Sequence, residues 1–258
     1  MLTFSKKKII STTALLMALA SLAPAQESHE TLELTAGTNL SAESQIDGIL
    51  IAPRWSPVLD LQYRHGIFFI DTENGIGFVL RRDEPVHIGS MLDYQYGRHS
   101  TADSRYRGMG DVSGSIAPAI FVEWEPIRDA IDIYLNASKA VTGPAGWLSK
   151  LEITGGFPLA SNKNIYIDIA ANAGDSSYAQ AYYGVSPAQA LTSHNPTYSP
   201  HGGLLSLTTS LGYEYRYSKQ LALSAQIGQL RYLNSAAQSP LVSRDTYATA
   251  GIFATYQY

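Results

Sequence analysis

Period-two alternation recurs along this 258-residue chain and constrains its fold more than any other feature. Ile131, Ile133, Leu135 and Ala137 alternate with Asp132, Tyr134, Asn136 and Ser138. Ile165, Ile167 and Ile169 alternate with Tyr166, Asp168 and Ala170, and Leu221, Leu223 and Ile227 with Ala222, Ser224 and Gly228. Leu205, Leu207, Leu211, Tyr213 and Tyr215 alternate with Ser206, Thr208, Gly212, Glu214 and Arg216. Alternate side chains of an extended strand point to opposite faces, so each segment carries one apolar and one polar face. Segments of about 9–14 residues have the length a tilted strand needs to cross a bilayer.

Twelve such segments follow in order: 31–39, 54–63, 66–71, 75–81, 86–97, 113–124, 128–138, 147–158, 163–183, 203–216, 220–231 and 244–258. Short connections fall around His65, at Arg82 to Pro85, at Glu125-Pro126-Ile127, at Ala160 to Asn162 and at Tyr217-Ser218-Lys219. Long ones fall at 40–53, 98–112, 139–146, 184–202 and 232–243, with Thr72-Glu73-Asn74 a short exception. Alternating short turns and long loops predict an all-β, transmembrane antiparallel barrel of about twelve strands with both termini periplasmic. Ten or fourteen strands stay open, because 66–71 is short and 163–183 is long enough to split.

The polar face carries Glu33, Asp60, Arg64, Arg81, Asp93, Glu123, Asp132, Lys150, Glu152, Asp168, Glu214 and Arg216. These charges are costly against lipid and tolerable in a wet or salt-bridged lumen. The apolar face ends in Trp55, Tyr63, Tyr94, Tyr96, Trp124, Trp147, Phe157, Tyr213, Tyr215, Tyr256 and Tyr258, rings suited to the headgroup level. A soluble sandwich or lipocalin-like barrel is the competing reading; its apolar face would point inward, and it has no need of terminal aromatic girdles.

The leading residues read as an address. Lys6, Lys7 and Lys8 precede an uncharged apolar run from Ile9 to Leu22, and Ala23-Pro24-Ala25 has the small-x-small form of a cleavage site. Residues 1–25 are therefore expected to be a signal peptide and 26–258 the barrel domain, with Gln26 leading the mature chain. Without those three lysines, 18 basic residues become 15 against 22 acidic, about −7, which argues against a nucleic-acid partner. No Cys occurs, so disulfides, thiol catalysis and thiolate metal sites are excluded.

Thr249-x-Gly251-x-x-Ala254-x-Tyr256, followed by Gln257-Tyr258, resembles the closing-strand signal of outer-membrane proteins. That likeness implies recognition by the barrel-assembly machinery through Gly251, Tyr256 and Tyr258, with Ala254 in place of a usual larger residue.

Tyr182-Tyr183-Gly184-Val185-Ser186-Pro187-Ala188-Gln189-Ala190 is the most distinctive stretch. It resembles the "YFGV-S/T-x-x-Q-A" signature of the outer-membrane family of the MltA-interacting proteins and OmpV. Pro57 to Tyr63 with Gly66-Ile67-Phe68-Phe69, Leu92 to Arg98, Gly108-Met109-Gly110-Asp111, Gly202-Gly203 and Ser239-Pro240-Leu241-Val242 are similar to further family motifs in order. The loop Ala42 to Gly48 departs from the family's pattern. The resemblance implies an integral outer-membrane protein in contact with lipid, acting as a scaffold that brings a lytic transglycosylase near a murein synthase. A narrow porin for small solutes is the alternative. For Tyr182 and Tyr183, rim girdle and loop plug are both open readings.

Catalytic sets are weak. His99-Ser100 lies in a long loop near Asp103, His194 and His201 lack a supporting carboxylate cluster, and no G-x-S-x-G elbow occurs. Asp132 and Asp168 fall on strands next but one to each other and could approach across the lumen, but they read first as salt-bridged or solvated lumen charges. No enzyme activity, cofactor or metal site is expected. Periplasmic partners would meet the short turns, where Arg82, Asp83, Glu84 and Lys219 are the candidate contacts.

Overall fold

A computed structural model describes residues 31–43, 50–72, 75–83, 85–102, 104–143 and 146–257. The proposed signal peptide and its cleavage site, Glu84, Asp103 and Tyr258 lie outside the described residues, as do the side chains of Glu33, Trp55, Arg81, Arg82 and Asp83.

Twelve antiparallel strands close into a barrel. They are β1 Thr31–Glu43, β2 Leu50–His65, β3 Phe68–Asp71, β4 Gly75–Asp83, β5 Val86–Gln95 and β6 Ser115–Ile127. β7 Ile131–Lys139, β8 Trp147–Ala160, β9 Lys163–Gly174, β10 Gly203–Arg216, β11 Leu221–Tyr232 and β12 Thr246–Gln257 complete it. β1 pairs with both β2 and β12, with Ala36 opposite Ala254 and Asn39 opposite Gly251. Closure pairs every strand on both sides, which is what lets a sheet stand in hydrocarbon without an open edge.

The strand order agrees with the twelve alternating segments, but β1 and β2 run into the connection expected at 40–53, and three further differences occur. Segment 163–183 ends as a strand at Gly174, where the Asp175 side chain accepts from the Tyr178 backbone N–H and starts helix α1, Ser176–Tyr183. The turn after β6 is 128–130, with Asp129 at φ 64, a conformation Asp tolerates better than most residues; Glu125 to Ile127 remain strand. A register shift between Leu204 and Ser206 turns Leu205 inward, against its parity in the sequence.

Outward positions are apolar: Leu59, Ile120, Leu135, Ile167, Leu211, Ile227 and Ile252 are all exposed, Leu59 at 71%. Tyr63, Trp124, Phe157, Tyr213 and Tyr256 ring the short-turn end, and Tyr94, Tyr96 and Trp147 the long-loop end. An apolar band between two aromatic girdles is the surface that a membrane-spanning barrel turns to lipid. Among the described residues no helix is long and apolar enough to cross a membrane.

Inward positions pack together. Asp60, Glu123, Asp132, Lys150, Glu152, Asp168 and Glu214 are buried, and Arg64, Asp93 and Arg216 half-buried. Lys150 Nζ meets Glu152 at 2.6 Å, Arg216 meets Glu214 at 3.2 Å, and His87 Nδ1 stands 3.5 Å from Glu123. Asp132 and Asp168 do not approach across the lumen. They sit on the same wall with Thr154 in register between them, and Thr154 Oγ1 donates to Asp168 at 3.0 Å.

Phe69, Val79, Met91, Ala119, Phe121 and Tyr134 form an apolar cluster inside the barrel, Phe121 stacking on Tyr134 at 6.0 Å and meeting Phe69 edge-on at 5.9 Å. Inward rings rest on glycines of the adjoining strand: Phe121 on Gly89, Tyr166 on Gly212, and Phe253 on Gly37. A Cβ at any of these would overlap the ring or the neighbouring backbone, so glycine lets a large ring lie flat against the wall.

Candidate functional site

The family-like stretches are far apart in sequence, yet most of them meet at one place. Three long connections close over the barrel end opposite the termini: 96–114, 175–202 and 233–245. They carry a 3-10 turn at Ser104–Tyr106, helices α1 and α2 (Pro187–Ser193), and helix α3, Asn234–Ala237. Their buried core joins Tyr106 and Met109 from the first loop, Ala179, Tyr182, Tyr183 and Val185 from the second, and Ala236 and Leu241 from the third. Leu205, Leu230, Tyr232 and Tyr247 meet them from the strand ends.

Most residues of the 182–190 stretch have a definite task in this cap. Tyr182, 2% exposed, donates its hydroxyl to the Tyr96 carbonyl at 2.6 Å and meets the Tyr178 ring, tilted, at 4.5 Å. Tyr183, 5% exposed, meets the Tyr232 ring at 6.0 Å, and its carbonyl accepts from Ser239 Oγ at 2.6 Å. Both rings thus belong to the loop plug and not to the lipid-facing rim. Gly184 ends α1 by donating to the Gln180 carbonyl at 3.1 Å, with the Gln180 side chain where a Cβ would stand. Val185 bridges Tyr198 through paired backbone hydrogen bonds of 2.8 and 2.9 Å.

Ser186 and Gln189 form a capping box on α2. Ser186 Oγ accepts from the Gln189 backbone, Gln189 Oε1 accepts from the Ser186 backbone, and Pro187 sits where its missing N–H costs nothing. Gln189 Nε2 then donates to the Met109 carbonyl at 2.8 Å, latching the second loop to the first. The S-x-x-Q spacing is a helix-start signal inside the connection expected at 184–202.

The other matched stretches join in. Gly108 and Gly110 hold φ of 81 and 74, and a side chain at Gly108 would strike Thr192. Ser239 and Leu241 are buried, and the Gly202 N–H donates to Ser176 Oγ at 3.3 Å. Arg98, at the end of the 92–98 stretch, is 0% exposed; its Nη1 donates to the Tyr182 carbonyl at 3.3 Å, and its guanidinium carbon lies 5.1 Å from the centre of the Tyr106 ring. Burial lowers the Arg98 pKa from its ordinary value, against the opposing influence of Tyr106, Tyr182 and Asp111. Burial also pushes the Tyr182 phenol up to about 12, partly offset by Arg98.

His99 and Ser100 both turn to Asp111: His99 Nδ1 stands 3.7 Å from its carboxylate, and the Ser100 N–H donates to it at 2.7 Å. Both pair ends are exposed, and Asp111, held below the usual carboxylate range chiefly by the Ser100 backbone, serves as the hub of a loop turn. His194 occupies a left-handed C-cap, and no group of three metal-ligating side chains occurs among the described residues.

Of the candidate periplasmic contacts, Arg82 and Asp83 end β4 and Lys219 is exposed in the turn after β10, all at the end opposite the cap. Gly251 faces inward on β12 under the Phe253 ring, and Tyr256 faces outward.

The family model for MltA-interacting protein MipA matches residues 36–258, nearly the whole chain. The chain belongs to this family. With the closed barrel, that membership makes it an integral protein of the outer membrane, its apolar band against lipid. No curated protein matches the sequence. Solved structures similar to it include the outer-membrane channel DcaP of Acinetobacter baumannii, at 7% identity and TM-score 0.43, covering 90% of this chain and 97% of that one. The NanC porin gives 8% and 0.44, covering 87% and 98%, and the KdgM porin 8% and 0.39, covering 88% and 98%. The closed twelve-strand order of this MipA-family chain rests on its own pairing.

Proposed function

We propose that this MipA-family barrel is a non-enzymatic scaffold that holds periplasmic murein enzymes, a lytic transglycosylase and a murein synthase, at the inner face of the outer membrane. The observation that carries this reading is the filled interior: buried rings, ion pairs and an interlocked cap occupy the space that a channel keeps open. A barrel with a filled lumen meets other proteins at its ends. The cap end spends its family-like side chains on internal contacts, with Tyr182, Tyr183 and Val185 buried. The short-turn end presents exposed His65, Arg128, Lys163 and Lys219 toward the periplasm. Solvated basic charge of this kind suits a modest, salt-sensitive contact.

A photo-crosslinker placed at Lys219, with a second at exposed Leu191 on the cap as control, tests the proposal in cells. Adducts with a murein hydrolase or synthase from position 219 and none from 191 are expected. Adducts from 191 alone, or none from 219 under low salt, overturn it.

A further inference from the structure

Arg98 is a buried cation to which no carboxylate among the described residues is hydrogen-bonded. Its Nη1 is engaged by the Tyr182 carbonyl and its face by the Tyr106 ring, yet Nε and Nη2 are buried without an acceptor. Asp111, the acidic neighbour that bears on it electrostatically, is instead turned to Ser100 and His99. A buried guanidinium without a counter-ion is costly, and a protein keeps such a group where something offsets it.

The two open donors are not an arbitrary pair. Nε–H and Nη2–H lie on one edge of the planar guanidinium and point the same way, the fork that takes two oxygens of a carboxylate or phosphate side by side. Nη1, the third nitrogen, is the one used to fix the group in the cap. The edge suited to an oxyanion is therefore held in place and left open.

We propose that Arg98 anchors an anion site inside the cap, which takes a small carboxylate or phosphate on its Nε/Nη2 edge and is thereby locked shut. The site is sealed in the closed cap, so the anion enters as loop 96–114 lifts and is trapped as Tyr182 and Gln189 re-engage Tyr96 and Met109. This is independent of the scaffold reading, which concerns the opposite end of the barrel.

Limited trypsin digestion of the folded, detergent-solubilised chain tests it, reading cleavage after exposed Arg107 in the same loop. Acetate and phosphate are each compared with chloride at one ionic strength. At about ten times its Kd, an anion bound only to the closed cap slows cleavage roughly tenfold. Protection by acetate alone identifies a carboxylate site, and protection by phosphate, alone or with acetate, a site that admits a tetrahedral anion. Arg98→Gln removes the protection, and Arg98→Lys, which keeps charge without the fork, loses most of it; heat-modifiable migration on gels verifies that both variants retain the barrel. No protection by either anion in the native chain, or equal protection in Arg98→Gln or Arg98→Lys, overturns the proposal.

Discussion

The Tyr182 hydroxyl donates to the Tyr96 carbonyl at 2.6 Å, tying the start of the family-like stretch to the residue just past β5. The bond joins two connections that the chain separates by 86 residues. Removing the hydroxyl while keeping the ring isolates it. Tyr182→Phe is expected to weaken the cap by about 1 kcal/mol, the usual net worth of such a bond. Hydrogen exchange in loop 96–114 measures this; exchange should quicken there and stay unchanged in β7 to β9.

Alkali should open the same contact. The Tyr182 phenol is pushed from its ordinary 10.0 to about 12 by burial, so the folded cap holds its proton more tightly than the unfolded chain. Its stabilisation is whole below 10.0 and is lost as pH climbs toward about 12. Phenolate absorbance of the native chain minus that of Tyr182→Phe should show one transition near the upper value; a transition near 10.0 would mean that the ring is solvated.

Gly212 tests the inward rings. The Tyr166 ring crosses it to reach Gln226 Oε1 at 3.3 Å, and a Cβ at Gly212 would collide with the phenol. Gly212→Val is expected to destabilise the barrel by roughly 1–3 kcal/mol, as overpacking does. Gly156, with nothing within 4 Å of its Cβ position, is the control, and Gly156→Ala should stay within about 0.5 kcal/mol. Urea midpoints in detergent decide between them.

Much of the barrel was legible because strand parity is a local property. Glu152 and Asp168 share a parity with Thr154 and Tyr166, and one wrong register would place every charge in lipid. The cap was less legible. Tyr182 and Tyr183 continue an aromatic, alternating pattern, so they read as strand, whereas Asp175 and the Ser186/Gln189 pair decide locally for helices. The inward Phe69, Phe121 and Phe253 were missed because the outward girdle was expected to hold the rings. Their parity with Asp71, Glu123 and Thr255 was the available signal. Arg98 marked only a motif end, since the two donors it leaves unpartnered are a fact of three-dimensional packing.

The closing strand gives a test of assembly. Tyr256 pairs with Leu34 and Leu221, so it belongs to both seams that β12 makes. Deleting residues 256–258 should leave unpaired backbone groups at the β1 edge, which hydrocarbon does not tolerate. Loss of the chain from the outer membrane is expected by immunoblot; normal levels would show that the seam closes without its last residues.

Planar-bilayer recording of the purified barrel tests the central claim most directly. A lumen filled by Lys150–Glu152, Tyr166, Phe121 and Tyr134 beneath a sealed cap should pass no large, steady current. Large, steady channels from the native chain would contradict the filled interior and favour a porin.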